Sequence, residues 1–229
     1  MSTERFGPWA AVFRGRGAVP GCAETVAAIL EPLGVWCHYV GPGEEMSLGE
    51  ALAKGPLVLA HPGGGTVQDE WERIGPDVDL VAPYVAGGGG YLGFCLGAYL
   101  AGQGPGYGII RGGGDTDQWF RRPGADVTHG DPATTTIQWR GQWREVFVQD
   151  APVLLVDEQD PWIRVLARYV NGDVAATLSR WERGWVGLTG PHPEATVDWY
   201  TDAGLEPPQN STRDLAMDLA TAVTGLVGR

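Results

Sequence analysis

Three short stretches hold residue types able to do nucleophilic chemistry. In Gly93-Phe94-Cys95-Leu96-Gly97-Ala98-Tyr99 a cysteine stands between glycines where an apolar run, Tyr91 to Phe94, gives way to a helix-forming one. A strand-to-helix turn at such a place strains the central residue, lifts its side chain off the sheet and leaves backbone amides beside it, so the neighbours must be small. The spacing predicts Cys95 as a nucleophile, with Gly93 and Gly97 supplying room. The amide of Leu96 is the expected donor to an oxyanion formed on attack, and the helix N-terminus would favour thiolate over thiol. The competing reading of Cys95 is a buried small hydrophobe.

The second stretch is Gly190-Pro191-His192-Pro193-Glu194, after an apolar run from Trp185 to Leu188. Residues two apart on an extended segment face the same way, and Pro193 disfavours helix at His192, so the Glu194 carboxylate can reach one imidazole nitrogen. The other nitrogen would then face Cys95, taking its proton during attack and returning one to the leaving amine. A surface histidine is the alternative. The third stretch, Pro62-Gly63-Gly64-Gly65, follows the run Leu57 to Ala60; its bare backbone can approach a substrate, and Gly63 and Gly64 are candidate oxyanion donors. His61, next to it, is placed where it would shape the pocket.

These stretches need elements to aim them. Trp9 to Phe13 reads as a strand, and Cys22, Val26, Ile29, Leu30 and Leu33 mark one face of a helix that Gly34 would stop. Val35 to Val40 reads as a second, buried strand in which Cys37 and His38 are structural. Met46 to Lys54 reads as a short helix and Leu57 to Ala60 as a third strand. The βαβαβ order predicts a parallel sheet with helices on both faces and ligands beyond the carboxyl ends of the strands. A helix is expected around Glu70 to Val85. From Tyr107 to Ser179 short β-rich runs (134–139, 145–148, 153–156, 163–169, 174–178) predict antiparallel strands, and 212–226 a closing amphipathic helix. Trp119, Trp139, Trp143 and Trp162 in that region are read as packing residues.

Composition narrows the function classes. Residues 1–229 suit one α/β domain, and no linker or repeat divides them. A net charge of −12 repels phosphate backbones and anionic membranes, so neither nucleic acid nor membrane is expected as a partner. The absence of a long apolar run and of a signal-peptide layout at Met1 to Phe6 points to a cytoplasmic protein. The odd count of cysteines (Cys22, Cys37, Cys95) leaves a free thiol, which suits a reducing compartment. No metal is expected, because His129 and Asp131 lack ligand spacing. Gly112-Gly113-Gly114-Asp115 lacks the Lys-Ser/Thr of a phosphate loop, and no cofactor is indicated.

In order along the chain, P-G-G, then G-x-C-x-G-A-Y, then H-P-E resemble the class I glutamine amidotransferase superfamily. The stretch Gly89-Gly90-Tyr91-Leu92-Gly93-Phe94-Cys95-Leu96-Gly97-Ala98-Tyr99 most resembles the biotin-protein ligase N-terminal-like group within it. The likeness runs from about Trp9 to Glu194. It implies a flavodoxin-like, mostly parallel sheet elaborated by antiparallel strands in the second half. It also implies a Cys95–His192–Glu194 triad and a thioester intermediate resolved by water or an amine. The expected function is that of an amidohydrolase or amidotransferase-like enzyme acting on a small carboxamide such as glutamine, with ammonia passed to a separate synthase. No such synthase and no biotin-ligase catalytic segment is recognised in the sequence. Phe94 and Tyr99 put aromatic bulk near the nucleophile compared with the usual elbow of the superfamily. Two other readings share the residues: a non-catalytic binding or regulatory domain of the same fold, and a cysteine acyltransferase or peptidase-like tailoring enzyme.

Overall fold

A computed structural model describes residues 7–15, 19–225 and 227. The chain alternates as expected at first: β1 (Trp9–Phe13), α1 (Cys22–Leu30), β2 (Trp36–Val40), α2 (Leu48–Ala53) and β3 (Val58–His61). A short 3-10 turn extends α1 to Leu33, and Gly34 then ends it at φ 78°, a left-handed value that costs glycine little. The start of α2 is fixed by a reciprocal cap, Ser47 Oγ accepting from the Glu50 amide and Glu50 from the Ser47 amide.

The helix expected around 70–85 is two helices, α3 (Val67–Ile74) and α4 (Val78–Ala86). Gly75 at φ 61° and Pro76, which lacks an N–H, break the ladder between them. Then follow β4 (Gly90–Phe94) and α5 (Leu96–Leu100), then β5 (Asp115–Gln118), β6 (Ala133–Trp139), β7 (Gln142–Val148), β8 (Pro152–Leu155), β9 (Ile163–Tyr169), β10 (Val174–Trp181) and β11 (Gly184–Thr189). The chain continues through α6 (Val197–Asp202) and α7 (Arg213–Thr224). Leu226, within the stretch expected to be the last helix, lies outside the described residues. Sequence reasoning did not anticipate β5 or α6.

A nine-stranded sheet runs β2-β1-β3-β4-β11-β10-β9-β6-β7, and β5 pairs with β8 apart from it. From β2 through β11 neighbours are parallel; from β11 to β7 every pair is antiparallel. The sheet is therefore mixed in two equal runs of pairings rather than mostly parallel. The antiparallel strands continue the same sheet because β10 pairs with β11 and not with a layer of its own.

Alternation along the strands supplies both faces. Ala10 and Val12 pack with α1 and α7 on one side, and Ala11 and Phe13 with α2, α4 and α5 on the other. The expectation of a buried second strand is corrected: β2 is the sheet edge, where Trp36 is 70% exposed and His38 is exposed, its ring edge-on to Trp9. Of the four tryptophans read as packing residues, Trp119 and Trp139 are buried, whereas Trp143 and Trp162 are exposed. Among the described residues no helix is long and apolar enough to cross a membrane.

Candidate active site

The parallel run places the turns after β3, β4 and β11 side by side, as adjacent parallel strands must. At the end of β4, Cys95 takes φ 45° and ψ −99°, a strained conformation for a non-glycine residue. Its amide donates to the Thr189 carbonyl at 2.9 Å, tying the turn to the end of β11, and its own carbonyl accepts from Ala98 and Tyr99. The flanking glycines are sterically required. A methyl carbon on Gly97 would lie 2.1 Å from the His61 carbonyl oxygen, and one on Gly93 2.6 Å from that of Gly97. The helix that Cys95 opens has only five residues, so the positive partner at hand for a thiolate is His192 rather than a long helix dipole.

His192 follows β11 and, against the expectation of an extended stretch through Glu194, opens a tight turn, its carbonyl accepting from the Ala195 amide at 3.2 Å. Its amide donates to the Phe147 carbonyl at 2.8 Å, an isolated antiparallel bridge to β7. The Phe147 and Trp199 rings meet the imidazole edge to face, at centroid distances of 5.9 and 5.2 Å. Nδ1 lies 2.8 Å from Glu194 Oε1, leaving Nε2 for the thiol. Both side chains are buried. Burial opposes the imidazolium, but the charges of Cys95 and Glu194, with hydrogen bonds to both, prevail and push His192 up to about 10. The thiol donates to the Gln149 carbonyl, 3.5 Å from Sγ. Thr212 Oγ1 donates to the Pro193 carbonyl at 2.8 Å and braces the segment from the start of α7.

Gly63 lies against both partners: a methyl carbon there would be 2.4 Å from His192 Cε1 and 3.5 Å from Cys95 Cβ. Among the described residues nothing accepts from the amides of Gly63, Gly64 or Leu96. Cys95, Leu96, Gly64 and His192 line a cavity of about 890 Å³. The structure therefore brings Cys95, His192, Glu194, Gly63, Gly64 and Leu96 to one place.

Two expectations about its surroundings are corrected. The His61 ring points away from the cavity, stacked on Phe13 at 4.6 Å, with Nδ1 3.4 Å from Tyr107 Oη and Nε2 3.6 Å from Glu70 Oε1. Alternation along β3 sends the ring to the opposite side from the neighbouring loop, while its carbonyl and Cβ abut the elbow at Gly97. Phe94 is fully buried in the core, so Tyr99 alone of that pair lines the cavity.

The rest of the wall comes from segments that motif reading passed over: Trp199 of α6, Cys22 at the start of α1, Gln118 of β5, and Phe147, Gln149 and Asp150 around the end of β7. No sequence motif marks these residues. The one available signal was the position of Cys22 at the end of the β1 turn, beyond a carboxyl strand end.

No family model and no curated protein sequence matches the chain. Solved structures do. A GMP synthase subunit-like protein from Thermoplasma acidophilum superposes with a TM-score of 0.56 at 14% identity, over 96% of this chain and 93% of that one. A glutamine amidotransferase from Thermotoga maritima gives 0.55 at 11% identity, over 96% and 94%. An exo-β-1,4-mannosidase from Opitutaceae bacterium strain TAV5 gives 0.53 at 12%, covering 94% of this chain but 36% of its own. At these identities the likeness concerns architecture alone: the chain shares the α/β fold of the GMP synthase subunit-like protein and of the glutamine amidotransferase.

Proposed function

We propose that this chain is a cysteine-dependent amidohydrolase or amidotransferase-like enzyme that cleaves a small carboxamide, glutamine being its simplest substrate. One observation carries the reading: Cys95, strained at φ 45°, shares a cavity with His192, whose Nδ1 is held at 2.8 Å by the buried Glu194. With the proton held on His192 Nε2, Cys95 Sγ attacks the amide carbon. The amides of Leu96 and of Gly63 or Gly64 receive the developing oxyanion. Collapse of the tetrahedral intermediate breaks the C–N bond, and His192 delivers the proton to the departing ammonia. Water, deprotonated by the same nitrogen, then resolves the thioester. Glu194 keeps the tautomer and orientation of the ring.

The resemblance of the elbow sequence supports placing the chain near the biotin-protein ligase N-terminal-like group, and all of residues 1–229 are read as one such domain. A separate ammonia-accepting synthase as partner is consistent with the likeness to a protein of a synthase. Free thiols at Cys22, Cys37 and Cys95 fit a reducing, cytoplasmic setting. The second reading, a non-catalytic binding domain, is favoured by one observation: Cys95 is only 7% exposed and its thiol already donates to the Gln149 carbonyl.

Intact-mass analysis after exposure to a diazoketone analogue of glutamine separates the two readings. Rapid labelling of wild type, lost in Cys95→Ala and slowed in His192→Ala, is the expected result. Labelling by iodoacetamide without labelling by the diazoketone would remove glutamine-like amides from the proposal.

A further inference from the structure

A second buried polar cluster flanks the glycine loop and takes no part in the steps above. His61 ends β3 and Glu70 sits in the first turn of α3, so the two bracket the loop Pro62 to Gly65. Their side chains meet across its base, Glu70 Oε1 lying 3.6 Å from His61 Nε2, and both are almost wholly buried. Glu70 Oε2 accepts from Arg73 Nη1 at 2.8 Å, and a methyl carbon on Gly65 would lie 3.6 Å from that same nitrogen. Burial would raise the Glu70 carboxyl, but His61 and then Arg73 outweigh it and hold the group below the ordinary carboxylate range. Replacing such a buried charge cluster with apolar side chains is often neutral or stabilising, so stability alone gives little account of a carboxylate there.

The cluster also reaches the elbow. The His61 carbonyl and Cβ abut Gly97; the ring is stacked with Phe13 at 4.6 Å and has Tyr107 Oη 3.4 Å from Nδ1. Tyr107 meets Tyr91 edge to face at 5.7 Å, and Tyr91 Oη donates to the Gly97 carbonyl at 2.6 Å. One buried block thus touches both sources of oxyanion donors, the glycine loop and the turn carrying Leu96. The loop has little else to hold it. Among the described residues the chain from Pro62 to Gly65 makes no backbone hydrogen bond, and Gly64 and Gly65 stand at φ 111° and 75°. Val19 and His192 crowd it on the cavity side, and the contact between His61 and Glu70 closes its base. Oxyanion donors act only when they are fixed before the charge develops.

We propose that Glu70, with His61 and Arg73, is a positioning group for the oxyanion hole, clamping the loop so that the Gly63 or Gly64 amide stands in register with that of Leu96. None of the three touches the substrate; they act through the loop backbone. The inference rests on Cys95 performing acyl chemistry.

Two reagents of different geometry test it on wild type, Glu70→Gln and Arg73→Gln. p-Nitrophenyl acetate acylates Cys95 through an oxyanion, the S–C bond forming as p-nitrophenolate departs, whereas iodoacetamide alkylates the same sulfur by displacement of iodide and develops none. Intact mass, with Cys95→Ala as the blank, reads both rates. Glu70→Gln, which keeps the shape and removes the charge, should slow acylation by at least about tenfold and leave alkylation unchanged, as expected of donors moved out of place. Arg73→Gln, at a partly exposed position that folding should tolerate, should slow acylation by a smaller factor, again without touching alkylation. Unchanged acylation in both variants, or equal slowing of the two reactions, would overturn the clamp and leave the nucleophile in place. Wild type that iodoacetamide alkylates but p-nitrophenyl acetate does not acylate would overturn the acyl reading itself, and the clamp with it.

Discussion

The parallel run β2-β1-β3-β4-β11 and the antiparallel run β10-β9-β6-β7 share one sheet yet contribute differently to the cavity. Parallel neighbours deliver their carboxyl ends to one edge, so the turns carrying Gly63, Cys95 and His192 converge with no further device. Antiparallel strands alternate direction and offer that edge only at chosen corners. The corner at the end of β7 reaches it through Phe147, which bridges to His192, and through Gln149 and Asp150. The comparison teaches a division of labour: reacting groups stand on the parallel run, and the wall that would select a substrate is supplied by the other.

Substitutions can break that comparison. Cys95→Ala should lower amide turnover by at least about 10⁴-fold, as loss of a triad member does, with little change in stability; ammonia release and thermal melting measured together check this. Phe147→Ala on the antiparallel side should cost about 3–5 kcal/mol of stability, because the ring is buried against His192, Trp199 and Tyr200. Chemical denaturation would read it. If instead activity fell with no loss of stability, the antiparallel run would belong to the chemistry and not to the frame. Gly63→Ala puts a methyl carbon 2.4 Å from His192 Cε1; the displaced imidazole should cost roughly 100-fold in activity and lower the melting temperature as well.

A pH profile sharpens the same contrast. His192 has a folded value raised to about 10 against an ordinary value of roughly 6.5. A raised value means that the folded state binds the proton more tightly. The stability gained is complete below roughly pH 6.5 and is lost as pH rises through about 10. The melting difference between wild type and His192→Gln should therefore shrink with rising pH over that window. Ammonia release should fall through the same alkaline region as the acid for the leaving group disappears, whereas alkylation of Cys95 should continue. Smallest of all, Trp143→Ala, at an exposed position on the outer strand β7, should move stability by no more than about 0.5 kcal/mol, measured by denaturant midpoint.

What the sequence made legible follows this division. Trp9–Phe13 and Ile163–Tyr169 are read to the residue, because uninterrupted apolar or alternating runs bounded by glycine or polar turns leave little choice. The elbow was legible because a strained nucleophile demands glycine at both flanks; Glu194 was picked out by its nearness to His192, though a turn at Pro193 and not an extended backbone brings the two together. Edge position was not legible. The apolar β2 reads as buried, and only the strand order shows that no strand among the described residues pairs beyond it. Nor was Gln149, whose carbonyl meets Cys95 only because of where β7 ends relative to β11, a long-range placement with no local trace. Asp115–Gln118 escaped notice because polar residues with no apolar alternation form a strand only through pairing with β8.

The order of strands also sets a timetable. β11, which fills the place between β4 and β10, is made after every other described strand, and the brace from Thr212 to Pro193 comes later still. During synthesis the thiol of Cys95 therefore emerges long before the histidine and carboxylate that would arm it. Closing the sheet around β4 requires contacts between distant parts of the chain, a topology associated with slow folding. The thiol thus stays apart from its histidine and carboxylate until β11 and the segment that follows it have been made.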